Sequence, residues 1–191
     1  MAPRLILTGF MGTGKSSIAP IVARRLGWKL VDSDEALIAR AGKSIADIFD
    51  SIGEAQFRKL EREVIADLSR AVPHCPQCRR PRPSVIATGG GVLADEINYR
   101  ELNRAGVIIC LTARPEVIAR RVERSRTRRP KLLEGGKPLI ERIAELLEQR
   151  EDAYARAEVA VDTSELTVEQ AAEKVFATFL EHGVSRCAVS V

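Results

Sequence analysis

Apolar and polar positions alternate in two rhythms along this chain. Short β-rich runs stand at 4–8 (RLILT), 29–32 (KLVD), 84–88 (SVIAT), 107–112 (VIICLT) and 158–163 (EVAVDT). Between them apolar residues recur at helical spacing, as with Ile18, Ile21, Val22 and Leu26, or Phe57, Leu60, Val64, Ile65 and Leu68. Strands alternating with helices in this way predict βαβ units and a parallel sheet covered by helices. A closing helix is predicted over 167–182, with Thr167 and Gln170 forming a capping box at its start.

Two stretches break the rhythm. Residues 73–84 (PHCPQCRRPRPS) hold four prolines and predict an exposed loop before the third strand, and residues 125–138 (SRTRRPKLLEGGKP) combine arginines with a Gly pair and predict a mobile flap. With 191 residues, 45% of them hydrophobic and 29% charged, the chain suits one compact domain. It has no apolar run of the roughly 20 residues that a membrane span needs. The amino terminus lacks a basic leader and a small-residue cleavage site, which points to a cytoplasmic protein. A net charge of +4 is mild and names no nucleic-acid partner. The densest basic run, at 120–131, suits a polyphosphate ligand at least as well. Of four cysteines, Cys110 reads as a core residue and Cys187 lies in the tail. Cys75 and Cys78, preceded by His74, could be half a zinc site without its second half, an oxidisable thiol pair, or a plain loop.

The chemistry concentrates first at 9–16. Gly9-Phe10-Met11-Gly12-Thr13-Gly14-Lys15-Ser16 satisfies GxxxxGK[ST] directly after a predicted strand and directly before a predicted helix. In that context backbone amides and the helix amino terminus face a β-phosphate, Lys15 reaches the β- and γ-phosphates, and the Ser16 hydroxyl can bind Mg²⁺. Guanine-reading NKxD is absent from the sequence and little chain remains for the extra domains of a motor, so a small-molecule kinase is the expected class. On the second strand, Asp32 and Asp34 stand two apart and would face the same carboxyl edge, Asp32 holding the Mg²⁺ shell through water and Asp34 taking a proton from an attacking hydroxyl. The alternative is that Asp32 or Ser33 merely caps the following helix.

At this point the chain resembles the shikimate kinases. The shared segments are GFMGTGKSS at 9–17, DSDE at 32–35, GKSIADIFDSIGEAQFRKLE at 42–61, TGGGV at 88–92, RRPKLL at 128–133 and QREDAYARA at 149–157. The resemblance implies a three-layer α/β/α fold of the P-loop type with a five-stranded parallel sheet in the order 2-3-1-4-5. It also implies one kinase domain over 1–191, with a substrate-binding helical region at about 33–62 and a lid at about 125–138. The implied activity is transfer of the ATP γ-phosphate to the 3-hydroxyl of shikimate by a monomeric, Mg²⁺-dependent enzyme of the aromatic amino acid pathway, with no nucleic-acid or membrane partner.

Carried over residue by residue, ATP falls to Gly12, Thr13, Gly14, Lys15, Ser16, Ser17 and the lid residue Arg129, and the metal to Ser16 and Asp32. Shikimate falls to Asp34, Arg58, Gly89, Gly90, Gly91 and Arg150, and catalysis to Lys15, Asp34 and Arg129. A guanidinium fork fits the acid's carboxylate better than an ammonium. Glu54 and Glu61 offer Arg58 a helix-surface ion pair instead, whereas no acid stands at good helical spacing from Arg150. Lys131 stands where the family's RPLL pattern has its first leucine, and VDTSELT lacks the arginine that relatives often place near adenine. A kinase of another hydroxy acid such as gluconate, or a silent nucleotide-dependent module binding nucleic acid through the flap, are the competing readings.

Overall fold

The computed structural model describes residues 4–70, 83–124 and 137–188, with side chains as far as residue 182. Its elements are β1 (Arg4–Gly9), α1 (Lys15–Leu26), β2 (Lys29–Asp32), α2 (Ser33–Ala41), α3 (Ile45–Arg70), β3 (Ser84–Ala87), α4 (Glu96–Ala105), β4 (Val107–Thr112), α5 (Pro115–Glu123), α6 (Leu139–Glu148), α7 (Glu151–Ala155), β5 (Val159–Asp162) and α8 (Val168–Ala188). The strands form one parallel sheet in the order β2-β3-β1-β4-β5, as expected from the family resemblance.

Side chains of the central strands alternate between two helical layers because successive Cβ atoms of a strand point to opposite faces. Leu5, Leu7, Val85, Ala87, Val107 and Ile109 pack beneath α1 and α8 with Ile18, Val22, Val175 and Phe179. Ile6, Ile86 and Ile108 face the opposite layer with Ile65, Leu93 and Leu102. Each fully buried Leu or Ile contributes roughly 1.5–3 kcal/mol of hydrophobic stabilisation, so a core of this kind fixes the sheet edge that carries the chemistry.

The expected capping box is present. Thr167 N donates to Gln170 Oε1 at 2.9 Å and Gln170 N to Thr167 Oγ1 at 3.2 Å, and the helix it opens runs six residues past the expected end at His182. The helical region expected at 33–62 comprises α2 and the start of α3, which continues to Arg70 and is broken at Gly53, where φ is 76° and ψ 170°. One expectation needs correction. β2 ends at Asp32, and Ser33 already belongs to α2, so Asp34 is a first-turn helical residue and the strand argument for its direction does not hold. The cause is the Asp32 side chain, which accepts from Asp34 N at 2.8 Å and Glu35 N at 3.3 Å and so caps the helix. Most of the proline loop with His74, Cys75 and Cys78, and most of the flap with Arg128, Arg129 and Lys131, lie outside the described residues.

Candidate active site

The phosphate loop connects β1 to α1 at the carboxyl edge of the sheet. Gly12 and Gly14 hold φ of 83° and 105°, values that side chains rarely adopt, and this curls the loop and leaves α1 with no side-chain cap at its amino terminus. Bare amides at a helix start attract anions. Thr13 is fully buried and braces the turn, its hydroxyl donating to the Phe10 carbonyl at 2.8 Å, whereas Ser16 and Ser17 are exposed. Lys15 Nζ donates to the carbonyls of Gly9 at 2.6 Å and Phe10 at 3.0 Å.

A cavity of about 890 Å³ opens beside this loop and brings together residues 12–17, Asp32, Asp34, Arg58, Gly89, Gly90, Gly91 and Arg150. Of the expected site residues only Arg129 is not among those placed there, because it lies outside the described residues. The glycine triplet is the hinge of the arrangement. A Cβ on Gly89 would stand 2.6 Å from Asp34 Oδ1, one on Gly90 3.7 Å from Arg150 Nη1, and one on Gly91 3.3 Å from Arg58 Nη1. A side chain at Gly89 would therefore displace Asp34, one at Gly90 would crowd the Gly9 carbonyl of the phosphate loop at 3.1 Å with Arg150 at ordinary contact, and one at Gly91 would press on the end of Arg58. Ser33, buried under α2, ties the triplet down by accepting from Gly89 N at 3.0 Å.

Electrostatics differ across the chamber. Burial, reinforced by Asp32 and Glu61 and opposed by Lys15, pushes the Asp34 carboxyl up to about 6. Arg58 does form the ion pairs considered from the sequence, to Glu61 at 2.9 Å and Glu54 at 3.2 Å, and it lines the cavity as well. Burial alone would lower its pKa, but the two carboxylates override this and hold it raised. Glu61 is only 5% exposed, so the pair orients the guanidinium and does not float on the surface. Arg150 lies in the turn after α6, where helical spacing no longer applies; its guanidinium sits over the Phe10 ring and donates to Gly90 O.

Three contributors escaped the sequence reading. Arg121, on α5, donates to Gly12 O at 3.3 Å and to Thr163 Oγ1 and O at 3.0 and 2.7 Å, while the Thr163 hydroxyl donates to Thr13 O at 3.0 Å. Together they lock α5 and the end of β5 onto the phosphate loop. Tyr154, on α7, donates to Gly90 O at 2.7 Å. Arg121 and Tyr154 lie inside segments singled out above, the basic run and QREDAYARA, but nothing in those strings tells which backbone oxygen each would meet.

A phosphate loop facing a carboxylate and two guanidinium groups across one cavity, at the edge of this sheet, defines a phosphoryl-transfer enzyme, a kinase for a small acidic acceptor. A family profile described as "Shikimate kinase" matches residues 11–180. The shikimate kinase of Caldanaerobacter subterraneus subsp. tengcongensis is 40% identical over 177 residues, covering 93% of this chain and 96% of its own. The solved shikimate kinase from Acinetobacter baumannii, in complex with shikimate, superposes with a TM-score of 0.82 at 27% identity, covering 95% of this chain and 94% of its own. A gluconokinase from Sinorhizobium meliloti shares the fold with a TM-score of 0.65 at 15% identity. The chain belongs to the shikimate kinase family, a family of ATP-dependent kinases.

Proposed function

We propose that the protein transfers the γ-phosphoryl group of Mg·ATP to the 3-hydroxyl of shikimate, as a cytoplasmic monomer of one kinase domain that needs no nucleic acid or membrane. The observation that supports this reading is that Asp34, Arg58, Arg150 and the glycine triplet line one chamber with the phosphate loop. A carboxylate ringed by hydroxyls is the ligand that two guanidinium groups and one carboxylate base fit.

The donor residues suit a magnesium nucleotide. Ser16 and Asp32 line the cavity together, yet among the described residues no three carboxylates, histidines or cysteines gather as a protein cage. Mg²⁺ suits such a sparse site, since it keeps waters and takes its remaining ligands from phosphate oxygens. When bound, it neutralises charge on the phosphates. Amides of residues 12–17 and the start of α1 hold the β-phosphate, and Lys15 leaves the carbonyls of Gly9 and Phe10 to follow the γ-phosphate. Arg58 and Arg150 take the acid's carboxylate and thereby orient the ring. Asp34 accepts the hydroxyl proton as the new oxygen–phosphorus bond forms and the bond to the β–γ bridging oxygen breaks, releasing ADP. Its pKa of about 6 leaves it ionised at neutral pH and nearer to working pH than an ordinary carboxyl. Arg129 is assigned to the transferring phosphate from the flap.

The test is a coupled ADP-release assay with Mg·ATP and shikimate, gluconate or no acceptor. Turnover on shikimate alone is expected. Equal turnover on gluconate, or none on either acid, contradicts the reading.

A further inference from the structure

Gly90 gathers polar contacts that the reaction described above does not require. Its carbonyl accepts from the Tyr154 hydroxyl at 2.7 Å and from Arg150 Nη1 at 3.3 Å. The first length is that of a good O–H···O bond, whereas the second exceeds the ordinary range for N–H···O. Tyr154 is itself held at both ends. Its ring packs on the cluster of Phe10, Ile118, Ile143 and Leu146, and its N donates to Arg150 O at 3.0 Å. Burial pushes its phenol up to about 12, with Arg150 pulling the other way, so at neutral pH the hydroxyl keeps its proton and acts as a donor.

A carbonyl oxygen has two lone pairs, and a guanidinium five N–H donors. Tyr154 takes one lone pair at short range and Arg150 the other at longer range, and Arg150 also hydrogen-bonds the Tyr154 side chain, so the guanidinium is placed by both groups while further donors remain for a carboxylate. The geometry points to Tyr154 as a positioning residue of the acceptor site: its hydroxyl fixes the Gly90 carbonyl and, together with it, the place of the Arg150 guanidinium that meets the substrate. This inference rests on the shikimate reading of the chamber. Tyr154 needs no contact with the substrate itself. Without its hydroxyl, the Gly90 oxygen and the Arg150 guanidinium each lose a partner, and the guanidinium is no longer held where it meets the substrate carboxylate.

Tyr154→Phe isolates the effect, because the ring that fills the apolar cluster is kept. Steady-state kinetics and equilibrium shikimate binding are measured on the wild type, Tyr154→Phe, Arg150→Ala and the double variant. The lost bond is expected to raise KM and Kd for shikimate about tenfold in Tyr154→Phe, with KM for Mg·ATP unchanged and kcat moved less than KM. In the Arg150→Ala background the same change should add little, since the group it would misplace is gone. An unchanged shikimate KM, an equal penalty in both backgrounds, or a parallel rise in KM for ATP overturns the inference. Wild-type protein that fails to phosphorylate shikimate overturns the reading of the site and this inference with it; wild-type turnover with an insensitive Tyr154→Phe overturns the inference alone.

Discussion

The donor and acceptor halves of the cavity are built in opposite ways. The donor half is one contiguous loop that presents its backbone to the cavity, its shape set by left-handed glycines and its position locked by Arg121 and Thr163. The acceptor half is an assembly of side chains from α2, α3 and the turn after α6 that meet around the glycine triplet, most tightly where Asp34 approaches Gly89. Within the donor half, Thr13 N and Ser17 N donate to the carbonyls of Phe10 and Gly14, which leaves the remaining amides of the loop for an anion. The side-chain site holds a buried carboxylate with a raised pKa beside Asp32 and Glu61, an unfavourable arrangement of the kind that clusters at functional sites. Damage to the donor half should therefore abolish transfer, whereas damage to the acceptor half should separate binding, rate and stability.

The largest expected effect falls on the transferring phosphate. Arg129→Ala should lower kcat by roughly 10³-fold or more if that arginine meets it, and Arg128→Ala should lower it much less. The reverse order in single-turnover rates would shift the assignment by one residue.

Asp34→Asn breaks the comparison from the acceptor side. A loss of about 10²–10⁴ in kcat is expected, together with a gain in stability at neutral pH. The sign follows from the raised pKa: the folded state holds its proton more tightly than the unfolded chain, whose carboxyl titrates near 3.8, so stability falls as pH rises through that value towards about 6 and stays reduced above it. Asparagine removes the penalty, and an increase on the order of 1–2 kcal/mol in urea unfolding at pH 7 is expected. A variant that is both inactive and less stable would show that Asp34 serves the fold.

Arg58→Lys sharpens the division of labour. Loss of the bidentate fork should raise KM for shikimate roughly 10- to 100-fold and leave KM for Mg·ATP unchanged. Glu54 and Glu61 would still find a cation, so the protein should fold normally, and equal rises in both constants would mean that the two halves are not separable. The smallest effect is expected at Thr167→Ala, which removes half of the capping box at a residue that also lines the cavity, and which should lower stability by about 1 kcal/mol with KM for shikimate unchanged.

The same contrast explains what could be read from the sequence. The phosphate loop was legible because its chemistry, spacing and flanking elements occupy consecutive residues, and the sheet was legible because its three central strands bury both faces and read as short apolar runs. Arg58, Gly90 and Arg150 could be singled out only through the family's segments, since Arg58 alone also suits a surface ion pair and Gly90 a plain turn, and nothing near Arg150 in sequence names its partner. Where periodicity was extended to Asp34 it failed, because the Asp32 carboxylate capping α2 outweighed continuation of the strand. Arg121 and Tyr154 could not be assigned because their partners lie 109 and 64 residues away in sequence, and contacts of that range exist only once the sheet has formed.

The central claim is that one acceptor-side carboxylate, held at the edge of the phosphate loop, takes the proton from shikimate. The pH dependence of kcat/KM for shikimate at saturating Mg·ATP tests this most directly. With a carboxyl that titrates near 6, the rate should be flat at neutral pH and fall about tenfold per pH unit below that value, a limb missing from the residual activity of Asp34→Asn. A wild-type profile that stays flat to pH 5, or a limb that survives in Asp34→Asn, would contradict the account.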